Sequence, residues 1–134
     1  MNRFALVPPI ALATGLALVG GWWALLWGFF VSTTLLWHGT FCVNSLAHVY
    51  GRRRYATSDD SRNSFLIALF TLGEGWHNNH HHYQRSERQG FFWWELDVSH
   101  VILKVLSWFG VVWELCAPPA HVRNDHLLVQ ERAA

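Results

Sequence analysis

Residues 4–51 read FALVPPIALATGLALVGGWWALLWGFFVSTTLLWHGTFCVNSLAHVYG, a run of 48 without one Asp, Glu, Lys or Arg. Every acidic residue and nine of the ten basic ones come after it, and only Arg3 comes before. That asymmetry marks a membrane-embedded front and a polar, water-facing back. As continuous helix the run would reach roughly 70 Å at about 1.5 Å per residue, twice a bilayer core of about 30 Å. It should therefore fold back once. The paired Gly20 and Gly21 are the natural corner. Pro8 and Pro9 suit a helix first turn, where the missing N–H costs nothing. One span is expected over residues 7–19 and a second over residues 22–43. The expected fold is all-α and integral to the membrane, a two-span helical hairpin followed by cytoplasmic helices.

Basic residues set the orientation. Arg3 precedes the first span, and Arg52, Arg53 and Arg54 follow the second, which predicts a multi-pass protein with both termini cytoplasmic. The start has the general shape of a secretory leader, but a second apolar stretch follows at once, so we read it as part of the hairpin. Nine tryptophans fit a protein that meets a lipid interface. A net charge of +1 gives no reason to expect nucleic acid as a partner. Cys42 and Cys116 do not read as a disulfide framework. A chain of 134 residues allows one domain. Its expected parts are the hairpin at about 7–43, a cytoplasmic metal-binding region over 44–116 and a polar tail over 117–134.

Within the polar back, residues 56–62 are a connection that caps a helix beginning near Asn63 or Ser64. The apolar stretch 65–72 is too short to span and is expected to lie against a membrane-proximal core. Four aromatics at 91–94 read as an interfacial anchor. A helix is predicted from Asp97 or Ser99 to about Leu115. Its stripe of Val101, Ile102, Val105, Phe109, Val112 and Trp113 is read as ordinary core packing.

The chemistry concentrates at residues 73–83, Gly-Glu-Gly-Trp-His-Asn-Asn-His-His-His-Tyr. On a helix His77, His80 and His81 stand at i, i+3 and i+4, one face, and can point at one metal-sized volume. Neutral imidazole is the commonest protein ligand for transition metals. Asn44 and His48, four apart at the end of the second apolar stretch, form a smaller constellation, and an ionisable side chain there is a functional candidate.

Asn-Ser-Leu-Ala-His at 44–48 followed by Gly-Glu-Gly-Trp-His-Asn-Asn-His-His at 73–81 resembles the C-terminal half of the membrane acyl-CoA (stearoyl-type, delta-9) fatty acid desaturases, in their bacterial branch. Trp-His-Gly-Thr-Phe at 37–41 and Arg-Gln-Gly-Phe-Phe-Trp-Trp-Glu at 88–95 extend the resemblance. It implies a cytoplasmic site of two iron ions ligated by histidines, with His77, His80 and His81 as the third histidine box and His48 as a further ligand. Asn44 would hold a metal-bound water, and Glu74 and Asn78 would brace the imidazoles. His38, inside the second apolar stretch, is a candidate for the substrate tunnel. Such a site uses dioxygen to desaturate a long-chain fatty acyl-CoA or other acyl thioester. Electrons would come from a separate cytochrome b5, ferredoxin or rubredoxin-type donor.

The sequence also departs from that family. Two earlier boxes, His-x4-His and His-x2-His-His, are absent. The His121 to His126 spacing sits in the polar tail and is not read as a replacement. The expectation is a partial desaturase domain that is inactive alone and needs a missing N-terminal half. Three alternatives stay open: an inactive remnant, a non-catalytic membrane metal-binding protein, and a related di-iron lipid hydroxylase. His82 is expected to support the ligand histidines from behind or to lie on the surface, and His100 to be structural or exposed.

Overall fold

The computed structural model describes residues 4–128, so Arg3 and the end of the polar tail lie outside the described residues. The chain is mostly helical, and among the described residues there is no strand, only isolated bridges joining Arg52 to Asn63, Tyr55 to Leu127 and Asn63 to Trp76. It divides into two compact units, one ending at Gly39 and the other beginning at Thr40.

Helix α1, Val7–Leu25, opens with proline in its first turn and continues through a π-helical segment, Leu26–Val31, into α2, Ser32–Leu46. Together they form one apolar stretch of 40 residues, long and apolar enough to cross a membrane. Two hydroxyls within it bond back to the helix, Ser32 donating to the Gly28 carbonyl at 2.7 Å and Thr34 to that of Phe30 at 2.8 Å. Such back-bonding is what a helix uses where no water is at hand. Gly21 departs from helical geometry at φ 63° and ψ −154°, a conformation without penalty only for glycine. Leu16 lies against Gly28, 3.1 Å from where a Cβ would stand.

In the second unit, α3 (Phe65–Phe70) is capped by Ser64, whose hydroxyl accepts from the Ile67 N–H at 3.4 Å. Helix α4, His77–His82, follows a tight turn, and α5, Val98–Trp108, is capped by Asp97 accepting from the His100 N–H at 2.9 Å. A short α6, Ala120–Asn124, comes last. The core here is small and unusually polar. Tyr55, Ala47, Ala68 and Phe91 are buried beside Ser61, Asn63, Asn78, Asn79 and Glu95. Buried polar groups are tolerated when hydrogen-bonded, and these are.

Gly75 lets α3 sit directly on the turn before α4, since a Cβ there would fall on the backbone nitrogen of Ala68. The Ser64 N–H also donates to the Gly75 carbonyl at 2.8 Å. Backbone cannot rotate away as a side chain can. Gly75→Ala is therefore expected to cost at least about 1–3 kcal/mol, read as a lower unfolding midpoint in denaturant, with loosened packing of α4.

Three expectations need correcting. Helix α5 ends at Trp108, short of Leu115, because Gly110 adopts φ 68°. The Val111 N–H then bonds back to the Leu106 carbonyl and the Gly110 N–H to that of Ser107, both at 3.1 Å, a glycine-terminated cap. The apolar stripe of α5 is not core packing, since Val101, Ile102, Val105, Phe109 and Trp113 are exposed. The helix docks instead through His100, whose Nδ1 meets Glu87 at 3.0 Å, and Val105 stands about 140° round the axis from it. The aromatic group at 91–94 is divided, Phe91 being buried in the core while Trp93 and Trp94 are exposed.

Candidate metal centre

Helix α4 is six residues long and carries four histidines. Its helical spacing places His77 and His81 one turn apart, with their Nε2 atoms 3.1 Å from each other. His48 joins them from just beyond the C-terminus of α2. The helix tightens there, the His48 N–H reaching the Ser45 carbonyl at 3.2 Å. Ring centroids lie 4.8 Å apart for His48 and His77, 5.5 Å for His48 and His81, and 4.3 Å for His77 and His81. One nitrogen from each of the three lies within 4.8 Å of the others. His80 flanks the group, its ring 5.7 Å from that of His81 and 6.1 Å from that of His77.

Buried polar nitrogens ordinarily find a partner. Here His48, His77 and His80 each keep a buried Nδ1 with no hydrogen-bond partner. Burial, then the charges of His81, His48 and His80, push His77 down to about 4, with Asp59 working the other way. His80 is lowered by burial and by His81, while Glu74 opposes the shift. Both imidazoles are thereby held in the neutral form that a metal needs. Metal–nitrogen bonds of about 2.0–2.1 Å put adjacent ligand nitrogens roughly 2.9–3.4 Å apart, and the Nε2 pair falls in that range. His77 and His81 fit a shared metal, with His48 within reach.

Around the histidines, two asparagines of α4 fasten the loops. Asn78 accepts from the N–H groups of Arg54 and Tyr55, both at 2.8 Å. Its amide donates to the Tyr55 carbonyl and to Thr57, each at 3.2 Å. Asn79 accepts from Asn63 at 2.6 Å and donates to Glu95 at 2.9 Å. Glu95 is in turn paired with Arg54, whose guanidinium lies over the Phe92 ring. Asp59, on the loop that Asn78 holds, meets His81 through Nδ1. Burial works to raise the Asp59 pKa. Hydrogen bonds from Ser61, with the neighbouring His81, outweigh it and keep the carboxyl well below the usual range.

Residues 1–104 match the model of the fatty acid desaturase family. The chain belongs to that family. It is 45% identical over 112 residues to the sn-1 stearoyl-lipid 9-desaturase of Synechocystis sp., covering 82% of this chain and 35% of that relative. It is 38% identical over 119 residues to the sn-2 palmitoyl-lipid 9-desaturase of Nostoc sp., with 89% and 42% covered. Identity to the acyl-CoA C20 delta5-desaturase of Anemone leveillei is 42% over 103 residues, with 77% and 33% covered. The chain thus spans well under half the length of these desaturases. The family's enzymes are oxidoreductases of fatty acid and lipid metabolism, and membrane attachment and bound iron are typical of it.

Of the residues marked in the sequence, the structure groups His48, His77 and His81, with His80 at their side. Asn44 is exposed on the last turn of α2. Glu74 is exposed, accepts from Gln89 at 2.7 Å and acts on His80 through its charge. Asn78 is buried and braces the loop at 54–61 rather than an imidazole. His38 is exposed and belongs to the other unit. His82 turns away from the group, stacking on Tyr55 at 3.9 Å with its Nε2 at the Val122 carbonyl. His126, the end of the rejected tail spacing, pairs with Asp125 at 3.0 Å. Sequence reasoning missed Asp59, Asn79, Arg54 and Glu95. A run of polar residues was visible at 56–62, but nothing in its spacing ties Asp59 to a histidine far along the chain.

Proposed function

We propose that this chain supplies one part of an oxygen-dependent acyl desaturase, contributing His48, His77, His80 and His81 to a two-iron site on the cytoplasmic face of a membrane. The observation that carries this reading is the convergence of His48, His77 and His81 in a chain of the desaturase family. When bound, the iron supplies the oxidising power to take two hydrogens from an unactivated carbon–carbon bond, chemistry beyond any side chain. The chain's own residues hold neutral imidazoles in place, keep them largely from water and fix their orientation from behind. Asn44, exposed one turn before His48, is assigned to a metal-bound water, and His38 to the wall of the acyl tunnel.

The two-span hairpin is part of the same reading. It is supported by the break in helical geometry at Gly21, the approach of Leu16 to Gly28, and a stretch of 40 residues that is about twice the reach a single crossing needs. Arg52, Arg53 and Arg54 after α2 support a cytoplasmic position for that end and for the site. The domain reading stays as membrane hairpin 7–43, metal-binding region 44–116 and polar tail 117–134.

The substrate is a long-chain fatty acyl group. The sequence resemblance points to the coenzyme A thioester, whereas the Nostoc and Synechocystis relatives are named for palmitoyl-lipid and stearoyl-lipid. We assign the lipid-linked form. The coenzyme A thioester is kept as a second reading because of the Anemone leveillei relative. Four imidazoles do not complete two iron centres. The remaining ligands must come from the part of the desaturase length that this chain does not span, and electrons from a separate cytochrome b5, ferredoxin or rubredoxin-type protein.

The test is co-expression with the complementary N-terminal portion of the Synechocystis relative in a host with little unsaturated lipid. About two irons per complex and new monounsaturated acyl chains are expected. Labelled lipid and labelled acyl-CoA, offered separately to the membranes, decide the carrier. A complex that assembles with neither iron nor unsaturated product would sink the proposal. His121→Ala should leave both readouts unchanged.

A further inference from the structure

Resting on the metal-centre reading above, we infer that Asp59 is a positioning residue for His81, delivered to it by a loop that Asn78 fastens to the histidine helix itself. The loop at 54–61 contains no regular secondary structure, so something must fix it. Asn78 does so from the middle of α4. Its side-chain carbonyl takes the N–H groups of Arg54 and Tyr55, and its amide reaches the Tyr55 carbonyl, Thr57 and, at 3.4 Å, Ser61. The Ser61 N–H donates to Asp59 Oδ1 at 2.9 Å, leaving Oδ2 aimed at His81 Nδ1. Asn78 is fully buried, so this clamp is shielded from competing water.

The chemical consequence follows from the two nitrogens of the ring. A carboxylate at Nδ1 requires a hydrogen there, so the lone pair of neutral His81 is on Nε2. That Nε2 is the atom lying 3.1 Å from His77 Nε2, inside the group. Among the grouped histidines the Nδ1 atoms of His48, His77 and His80 have no such partner. Of the four, only His81 is therefore backed at Nδ1 by a carboxylate, which sets both its tautomer and its direction. An imidazole backed by a carboxylate is a more basic ligand, and losing such a partner typically weakens metal affinity by about 10–100-fold.

The experiment uses the full chain in detergent micelles with cobalt(II) as probe, followed by visible absorption, and histidine nitrogen NMR on the metal-free protein. Wild type should show His81 protonated at Nδ1. Asp59→Ala should abolish that preference and weaken cobalt binding about 10–100-fold, and Asp59→Asn, which keeps the volume and an acceptor, should fall between. Asp60→Asn should match wild type, because Asp60 is exposed and faces Arg53 at 3.4 Å. Unchanged cobalt affinity and an unchanged tautomer in a folded Asp59→Ala chain would overturn the assignment. Should that chain not fold, the same comparison with Asp59→Asn decides it. A wild-type chain that binds no cobalt overturns the metal centre instead. The tautomer, read without metal, separates that failure from a failure of Asp59.

Discussion

Replacing His77 with alanine is expected to reduce iron retention and desaturation by the reconstituted complex at least about 100-fold, more than the loss typical of removing a residue that only supports a ligand. His77 has the central position. Its ring is within 6.1 Å of those of His48, His80 and His81, and only 5% of the residue is exposed. Its removal takes away a nitrogen donor and opens the group to water on the side where Nε2 of His81 points. No other side chain of α4 can substitute, because Asn78 and Asn79 are committed to the loops behind. The measurement is iron per complex after size exclusion, with acyl composition by gas chromatography. His82→Ala, altering the histidine that stacks on Tyr55 away from the group, should retain iron. Equal loss of iron in both variants would mean that the helix, and not the ligand, had failed.

The second large effect is on stability. Arg54→Ala leaves the Glu95 carboxylate, whose side chain is 0% exposed, without its cation. Removing one partner of a buried pair typically costs about 3–5 kcal/mol, far more than an exposed pair is worth. The Asn79 amide at 2.9 Å and the Phe92 N–H at 3.2 Å still reach Glu95, so the lower part of that range is expected. Adding Glu95→Gln to Arg54→Ala should recover part of the loss, since the charge that was stranded is then gone. Unfolding in denaturant gives both values. A single variant as stable as wild type would show that Glu95 is solvated or protonated in the folded chain. Because Asn79 bonds both Asn63 and Glu95, the same substitution should also loosen α4 and weaken metal binding.

Much of this protein was legible in its sequence because the relevant signals are local. A run of 48 residues without charge fixes an apolar front regardless of how it folds. Histidines at i, i+3 and i+4 share a face whenever their segment is helical, and α4 is. The Ser64 and Asp97 caps follow from short polar side chains standing before apolar runs. One local signal was there and misread. Gly110 announces the end of α5 by the left-handed turn it permits, yet the apolar stripe continued past it and carried the prediction on to Leu115.

What only the tertiary structure decided is which distant groups meet. Helical periodicity cannot say whether an apolar stripe faces a core, and on α5 it does not, because His100 and Asp97 hold the helix by another side. Nor can spacing bring His48 to His77, or reveal that Asp59 lies behind His81. Those contacts depend on loops without periodicity, fixed by the side chains of Asn78 and Asn79, which the sequence presents only as polar residues between histidines. The sequence alone determined that this chain carries clustered imidazoles beside an apolar front. The folded chain decided which of them converge and what holds them, because hydrogen bonds across loops leave no periodic trace.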